Sequence, residues 1–314
     1  MIDENGIRKL NTDLVKYYEV SLDKLFRLSS KSYKLVDKSG NSFFLKETNY
    51  NTLEKYLFLE NQGIRNILFP LKNYRNEYVT RNMPNSFYLS KYYDDNTIIK
   101  EVKLNNLLNE LSSLHENTSF KRQLNPMSAR PKFEELSTRL DYKYKTLENF
   151  VRSIEAKPLN IYSMPVLSNY QYLLDAKKDL VRLQKRIISS IKAKDSIEYS
   201  FLHNNPKLDH LLNVNGESFL TSIDNSKIGL LSLDYAKMYV ENEDLNIDFG
   251  ELFKDKFSGI NPFYYDYFRF MVLNIYLQRI NVTSDSYANA QSFINTSISI
   301  KKYFNYFTDF SASE

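Results

Sequence analysis

The 314-residue sequence contains no cysteine and no tryptophan, and it has only 7 glycines and 8 prolines. The lack of cysteine excludes disulfide bonds, thiolate metal sites and cysteine nucleophiles. The scarcity of glycine and proline argues against a glycine-rich repeat and against a disordered tail. Long hydrophobic runs are also missing, so we expect neither a signal peptide nor a membrane-spanning helix. These absences predict a cytoplasmic protein with no membrane partner.

The charge of the chain is nearly balanced. Its 42 lysines and arginines face 38 acidic residues, which leaves a net charge of +4. No run of basic residues is long enough to indicate a nucleic-acid footprint, so we expect no nucleic-acid partner. What the chain has in quantity is apolar and aromatic side chains: hydrophobic residues make up 42% of it, with 21 Phe and 25 Tyr. This is enough for a sizeable core, and heavy use of Asn, Lys, Ile and Tyr suggests an AT-rich bacterial genome.

The first 92 residues predict a small α+β region, because helix and strand patterns alternate there. Residues 8–28 have apolar positions at helical spacing, and residues 33–46 form a predicted hairpin with a tight turn at residues 37–40. A helix is predicted next, over residues 53–62. Two further short strands are predicted at residues 78–80 and 87–90.

Most of the remaining chain is predicted to be helical. Residues 101–116 form an amphipathic helix with leucines at three- and four-residue spacing. The stretch from 117 to 200 is predicted as mainly helical, and residues 250–312 as helical and strongly aromatic. Within the first stretch, the predicted parts are a loop at 125–131, a helix at 132–156, a break at 163–165 and a helix at 167–194.

A distinctive segment at residues 201–236 interrupts this helical region. In chain order its parts are a polar loop at 202–209, an apolar step at 210–212, a turn at 213–216 and a returning strand at 219–223. Asp224 follows the strand, and Asp234 begins a helical pattern ten residues later. A polar loop, a hairpin and a carboxylate at the strand's end can together hold a metal-bound phosphate.

This order resembles the catalytic segment of the kinase-like phosphotransferases, which include aminoglycoside phosphotransferases and choline kinases. Their loop reads His-Gly-Asp, four residues and Asn-Ile-Leu; a hairpin then leads to Ile-Asp, and a later Asp-Leu-Ala begins a helix. The matching positions here are His203-Asn204-Asn205, His210-Leu211-Leu212, Ile223-Asp224 and Asp234-Tyr235-Ala236. Leu114-His115 supports the match, because such a pair closes the corresponding helix in aminoglycoside phosphotransferases. The long helical stretch before the loop is similar to that of choline kinases and bacterial spore-coat proteins of the CotS type.

The resemblance implies a two-lobed, protein-kinase-like fold of the α+β class. Residues 1–92 would form a small antiparallel-sheet lobe that covers the nucleotide, with a hinge at residues 88–93. Residues 93–314 would form a large, mainly helical lobe that contains the catalytic segment.

The resemblance also assigns roles to individual residues. Lys46 would grip the phosphates of ATP, and Glu54 would pair with Lys46 and hold it extended. Asp224 would bind Mg²⁺, and His203 would anchor the catalytic loop. ATP and Mg²⁺ are therefore the expected ligands.

Three departures from the family pattern put the chemistry in doubt. Asn205 stands where the catalytic aspartate is expected, and a neutral amide is not a useful proton acceptor near pH 7. His210 stands where the second metal ligand, normally asparagine, is expected, although Mg²⁺ prefers oxygen. The loop at residues 29–33 has no glycine, which hinders close approach of the backbone to phosphates. Asp209 as a substitute base and Lys31 as a direct phosphate contact are the compensations that the sequence offers.

Two functions follow from this combination. The first is a pseudokinase-like protein with a binding, structural or assembly role and a protein partner, such as in a spore coat. The alternative is an active phosphotransferase that uses ATP and Mg²⁺ to phosphorylate a hydroxyl of a sugar, choline or aminoglycoside-like acceptor. Asp248-Phe249-Gly250 spells the metal-binding triplet of protein kinases, but it follows the Asp234 helix, so we interpret it as a coincidence.

Overall fold

The computed structural model describes residues 4–81, 86–95, 99–123, 126–192, 196–283 and 285–307. The chain folds into two compact units. Unit 1 comprises Met1–Thr118 and His203–Lys227, and unit 2 comprises Ser119–Leu202 and Ile228–Glu314. The segment with the family motif therefore belongs to the same unit as the N-terminal residues. The lobe boundary near residue 92 stays a prediction.

Unit 1 is built on a four-stranded antiparallel sheet with the order β1-β2-β3-β4. The helices and strands of its N-terminal part are α1 (Glu4–Tyr18), β1 (Leu22–Arg27), β2 (Ser32–Asp37), β3 (Ser42–Thr48), α2 (Thr52–Asn61), β4 (Ser86–Lys91) and α3 (Lys100–Asn117). The predicted hairpin turn is confirmed: the amide of Gly40 donates to the carbonyl of Asp37 at 3.0 Å, and Gly40 has a φ of 85° that favours glycine.

Two N-terminal predictions were wrong. Residues 22–27 form strand β1 rather than the end of a helix, because Glu19 adopts a left-handed φ of 59° that terminates α1, and pairing with β2 then holds the chain extended. Residues 78–80 are not a strand; Thr80 forms only an isolated bridge with Phe87. Both errors concern pairing with a neighbouring segment, which apolar spacing and strand propensity alone did not reveal.

The two faces of the sheet are covered by different helices. Leu14 of α1 belongs to a buried cluster with residues of β2, β3 and β4, and its members are Leu14, Val20, Tyr33, Leu35, Leu45, Phe87 and Leu89. Because side chains alternate along a strand, Lys46 points to the face opposite Leu45, and the register places Tyr88 beside it. The ring centroids of Tyr88 and of Tyr56 in α2 are 5.8 Å apart. This contact places α2 on the same face of the sheet as Lys46.

The family-motif segment completes unit 1. It contains a short 3-10 helix (Leu208–His210), the hairpin β7 (Leu211–Val214) and β8 (Glu217–Leu220), and a second 3-10 helix (Ile223–Asn225). The hairpin prediction is confirmed, but the returning strand ends at Leu220 rather than at Ile223. Leu220 is fully buried and pairs with Ile67, which ties the hairpin to the N-terminal part of the unit.

Unit 2 is mainly helical. Its elements are β5 (Phe120–Gln123), α4 (Pro126–Glu155), α5 (Ser163–Lys192), β6 (Ser196–Leu202), β9 (Lys227–Gly229), α6 (Ser232–Asn242), α7 (Phe249–Lys256), α8 (Pro262–Arg279) and α9 (Ser286–Phe307). The three strands order as β5-β6-β9. The aromatic-rich helices predicted after residue 250 are confirmed up to Phe307, and residues 308–312 of that prediction lie outside the described residues.

The prediction of residues 117–200 as mainly helical was wrong at both ends. β5 and β6 pair with each other across more than 70 residues of sequence, and Phe120 stacks on Tyr199 at 6.2 Å. The loop predicted at residues 125–131 was also wrong, because α4 begins at Pro126, where a proline is tolerated in the first helical turn. Asn125 of that loop lies outside the described residues.

The kinase-like triplet in unit 2 has a structural explanation. The Asp248 carboxylate caps α7 by accepting from the amide of Glu251 at 3.0 Å. Phe249 is fully buried, and a Cβ at Gly250 would lie only 2.8 Å from the carbonyl oxygen of Tyr306. Each letter is accounted for by capping or packing.

The architecture belongs to the α+β class, as predicted: an antiparallel sheet forms the N-terminal part and helices dominate the rest. Across the described ranges, every helix falls short of the length and apolar character that a membrane crossing requires.

Candidate functional site

Strand β3 delivers Lys46 to one face of the sheet in unit 1. Its Nζ forms an ion pair with Oδ2 of Asp224 at 2.6 Å, and both side chains are more than four-fifths buried. The two residues are 178 positions apart in the sequence, yet both were assigned to phosphate and metal chemistry by the family resemblance. The structure therefore brings the principal predicted site residues together.

Asp224 is held at several atoms by unit 1. The hydroxyl of Thr48 donates to its Oδ1, and Thr48 in turn shares a 2.9 Å hydrogen bond with Thr52 at the start of α2. The ammonium group of Lys55 donates to the backbone carbonyl of Asp224. Both carboxylate oxygens thus have partners within the protein.

The predicted ion pair between Lys46 and Glu54 does not form. Glu54 is exposed on α2, and Lys46 pairs with Asp224 instead. The physical reason is the rotation of α2: its buried residues are Thr52, Tyr56 and Leu59. Residues three and four apart share a helix face, so Lys55 rather than Glu54 lies with them.

Lys55 is partly withdrawn from water. Burial lowers its pKa below the usual value, and the nearby Asp224 charge acts in the opposite direction. Beneath this cluster, the hydroxyls of Tyr56 and Tyr88 are fully buried, and burial raises the pKa of both phenols. The site therefore has a low-dielectric floor on which charges interact strongly.

An open pocket of about 220 Å³ lies beside the Lys46–Asp224 pair. The residues that line it are Lys31, Lys46, Glu47, Thr48, Asn49, Asp224 and Asn225. Lys31 comes from the turn between β1 and β2, the position of the predicted phosphate-covering loop. The pocket thus combines two lysines and two carboxylates with hydroxyl and amide groups, and its ammonium groups are the donors that it offers to a phosphate.

The turn above the pocket uses its own amides internally. The amides of Leu28 and Ser29 donate to the carbonyl of Ser32, and the amide of Lys31 donates to Oγ of Ser29 at 3.2 Å. Oγ of Ser29 also bonds Oγ of Ser32 at 2.6 Å. The Lys31 side chain lines the pocket, so this turn can contact a phosphate there through an ammonium group.

The catalytic-loop positions form a network around two histidines. His203 is fully buried, its Nε2 bonds the carbonyl of Thr221 at 2.7 Å, and its Nδ1 accepts the amide of Asn205 at 3.3 Å. Because a carbonyl only accepts, Nε2 carries the proton of His203. Nδ1 of His210 donates to the carbonyl of Asn205 at 2.8 Å. His203 thus bonds both Asn205 and Thr221, and its role as the anchor of a catalytic loop stays a prediction.

His210 is a neutral imidazole at physiological pH. Burial is the main cause that lowers its pKa from 6.5 to about 4; electrostatic interactions with His203, Lys46 and Lys207 also lower the pKa, and the hydrogen bond to Asn205 raises it. Its Nδ1 proton is committed to Asn205, so the lone pair lies on Nε2. Asp209, the candidate substitute base, is exposed at the end of the same 3-10 helix.

Comparison with known proteins identifies the fold. No protein-family model matches the sequence, and no curated protein matches it significantly. Solved structures do match. An aminoglycoside phosphotransferase from Alicyclobacillus acidocaldarius is 12% identical, with 93% of each chain covered and a TM-score of 0.61. An AMP-bound spectinomycin phosphotransferase is 13% identical, with 96% of this chain and 99% of that chain covered and a TM-score of 0.58. A thermostable mutant aminoglycoside phosphotransferase with ADP and hygromycin B is 11% identical, with 94% and 98% covered and a TM-score of 0.56.

The chain has the fold of the aminoglycoside phosphotransferases. At 10–13% identity these likenesses establish the architecture, and the chemistry must be argued from the residues. Several such structures contain nucleotides; one, an amicoumacin kinase with a TM-score of 0.51, contains AMP-PNP and Ca²⁺.

The donor set of the site around Lys46 and Asp224 does not fit Mg²⁺ well. The ion takes oxygen ligands in near-octahedral geometry, usually one or two carboxylates plus phosphates and water. Here both oxygens of Asp224 are engaged by Lys46 and Thr48, and His210 offers nitrogen at the second predicted position. Within the described ranges, no group of three or more His, Asp or Glu side chains is placed to hold a metal ion.

Sequence reasoning missed two residues of this site, Thr48 and Lys55. The signal for Lys55 was present, because Thr52, Tyr56 and Leu59 recur at helical spacing and define the buried face of α2. Thr48 carried no comparable signal, since a threonine at the end of a strand is commonplace.

Proposed function

We propose that this chain is a catalytically degenerate, pseudokinase-like protein that binds nucleotide phosphates beside Lys46 and acts by binding rather than by phosphoryl transfer. The observation that carries the proposal is the catalytic loop, where the base position holds Asn205 and the neighbouring imidazole, His210, has a pKa of about 4. Neither group is an efficient proton acceptor near pH 7.

The absence of a base at position 205 lowers the expected rate of phosphoryl transfer. General acid–base catalysis contributes on the order of 10²–10⁴ in rate, so an amide at position 205 removes most of that factor. Phosphoryl transfer depends on metal positioning as well, and the poor fit of the site to Mg²⁺ removes a second contribution. Each defect lowers the rate, and together they favour a protein that retains ligand without turnover.

Nucleotide binding has better support than catalysis. Lys46 and Lys31 line one pocket and supply two ammonium groups to a polyphosphate. The spectinomycin and aminoglycoside phosphotransferases that share the fold were solved with AMP and ADP, which supports a nucleotide as the ligand. ATP is therefore the proposed ligand, and Lys46 its principal contact.

The biological role that we propose is assembly with a protein partner. This part rests on the resemblance of the long helical stretch and the loop landmarks to CotS-type spore-coat proteins. It implies sporulation as the context and a cytoplasmic origin followed by deposition in the spore coat.

The alternative function is an active small-molecule phosphotransferase that uses ATP and Mg²⁺. The observation in its favour is the 2.6 Å contact between Lys46 and Asp224, which joins the phosphate and metal residues of the family. Structural neighbours are described with the acceptors spectinomycin and hygromycin B, so an acceptor with sugar-like hydroxyls is the corresponding proposal here.

A phosphate-transfer assay separates the two functions. The wild-type chain and an Asn205→Asp variant are incubated with γ-labelled ATP, Mg²⁺ and a panel of aminoglycosides, choline and sugars. We expect no transfer above background from either, because Asn205→Asp restores the base but leaves His210 and the serine-rich turn unchanged. Transfer by the wild type that is lost in Asp224→Ala would establish the enzyme and overturn the proposal.

A further inference from the structure

We propose that Lys55 takes the place of the divalent metal ion in this site, so that the chain binds the polyphosphate of a nucleoside triphosphate without Mg²⁺. The inference deepens the proposed function and rests on its nucleotide site beside Lys46. It concerns a residue to which neither the family motif nor the sequence analysis gave a role.

The position of Lys55 is the first support. Its ammonium group donates to the backbone carbonyl of Asp224 and lies close enough to the carboxylate for the two charges to interact. The side chain is anchored on the buried face of α2, between Thr52 and Leu59. A positive charge is therefore built into the protein next to the residue that would otherwise bind the metal.

The second support is the charge balance of α2. The family pattern expects an inward-facing glutamate at this helix, whereas here Glu54 is exposed and Lys55 faces the site. Exchanging an inward negative charge for an inward positive one changes the local charge by two units. This equals the charge that one Mg²⁺ ion brings to a polyphosphate site.

The third support is the state of Asp224. Oδ2 pairs with Lys46 at 2.6 Å and Oδ1 accepts from Thr48, so the protein already neutralises the carboxylate. A metal ion at Oδ2 would have to replace Lys46, and the described residues do not group three or more acidic or imidazole side chains around it. Lys31 and Lys46 already line the pocket, and Lys55 adds its charge from beside the backbone carbonyl of Asp224.

Lysine is chemically suited to this task. An ammonium group offers three donors and a point charge, and it binds phosphate without a fixed geometry. Since the amides of Leu28, Ser29 and Lys31 bond within their own turn, we assign phosphate binding to side-chain ammonium groups rather than to these backbone amides. Such a site binds the free polyphosphate, whose charge is higher than that of its metal complex.

Titration calorimetry with ATP, in Mg²⁺ and separately in excess EDTA, tests the inference on the full-length chain. We expect wild type to bind with similar affinity in both. Lys55→Met should weaken binding in EDTA about tenfold or more, the loss of one charge-assisted contact, and Lys55→Arg should retain metal-free binding. Lys38→Met is the matched control: it removes one positive charge from an exposed turn of unit 1 outside the pocket, and its affinity should equal wild type.

The variant Asp224→Asn distinguishes ATP binding through a metal ion from ATP binding through ammonium groups. If a metal ion mediates binding, loss of this carboxylate abolishes it; if ammonium groups mediate binding, Asp224→Asn keeps it or tightens it, because Lys46 and Lys55 lose a competing anion. Wild type that binds only with Mg²⁺, or Lys55→Met that behaves like Lys38→Met, overturns the inference and leaves the proposed nucleotide site in place. Wild type that binds ATP under neither condition overturns the proposed nucleotide site itself.

Discussion

Individual residues decide whether this fold performs chemistry, and His210 shows how. Its imidazole is partly buried beside the ring of His203, and its Nδ1–H group donates a hydrogen bond to the carbonyl of Asn205. The environment disfavours the charged form, so the ring is neither a good metal ligand for Mg²⁺ nor a strong base. The same arrangement makes a direct prediction about stability.

Stability should fall as the pH is lowered because His210 stays neutral in the folded chain. The unfolded chain binds a proton at this residue near pH 6.5, whereas the folded chain binds it only near pH 4. Between these values the unfolded state holds more protons, so acid favours unfolding. The contribution of His210 to the free energy of unfolding is fully present above pH 6.5. At pH 4 about 3 kcal/mol of it is lost.

Urea unfolding of wild type and His210→Gln at several pH values between 4 and 7.5 measures this contribution. Glutamine does not titrate, so its stability should decline less on acidification, and the difference between the two curves isolates His210. Parallel pH dependences would contradict the lowered pKa.

At the scale of elements, the rotation of one helix changes the charge of the site. The sequence predicted the position of α2 in the chain correctly. It assigned Glu54 to the face that contacts Asp224, whereas Lys55 lies there. Local composition defines that a helix forms; packing of Thr52, Tyr56 and Leu59 defines which side chain faces Asp224. Lys55 is the result, and its role is tested by the calorimetry described above.

The first turn of α7 offers a second test at this scale. The Asp248 carboxylate caps the helix, so Asp248→Ala should destabilise the chain by about 1 kcal/mol, whereas Asp248→Ser should keep most of the stability. Thermal or urea unfolding measures both variants. A change in ATP affinity in Asp248→Ala, without a change in stability, would mean that the triplet acts as a metal site after all.

Strand pairing marks the limit of what the sequence could predict. The hairpins at residues 33–46 and 211–220 were predicted because their turns are local and carry asparagine, aspartate or glycine signals. β1 was missed although its partner β2 is the next strand, because the apolar residues of this stretch also fit helical spacing. The pair β5–β6 was missed because its strands lie more than 70 residues apart. The contact between Lys46 and Asp224 was anticipated only through the family resemblance, because no local pattern joins two residues so far apart.

At the scale of the whole molecule, the chain leaves unit 1 at Thr118 and returns to it at His203. Unit 1 therefore assembles its pocket from the turn between β1 and β2, the end of β3 and a segment that follows more than 170 residues later. The match to phosphotransferase structures extends over more than nine-tenths of the chain, although identity is only 11–13% among the structures compared. These likenesses establish the shared fold, and the loss of the base is part of the proposed function.

The central claim is that a nucleotide site persists at Lys46 in a protein that has lost the means of phosphoryl transfer. Thermal unfolding of the full-length chain with and without ATP and Mg²⁺ tests it most directly. ATP at about one hundred times its dissociation constant should stabilise the fold by roughly 2.7 kcal/mol, which corresponds to a shift of a few degrees. The shift should disappear in Lys46→Ala and persist in Lys38→Met; equal melting temperatures with and without ATP in the wild type would contradict the claim.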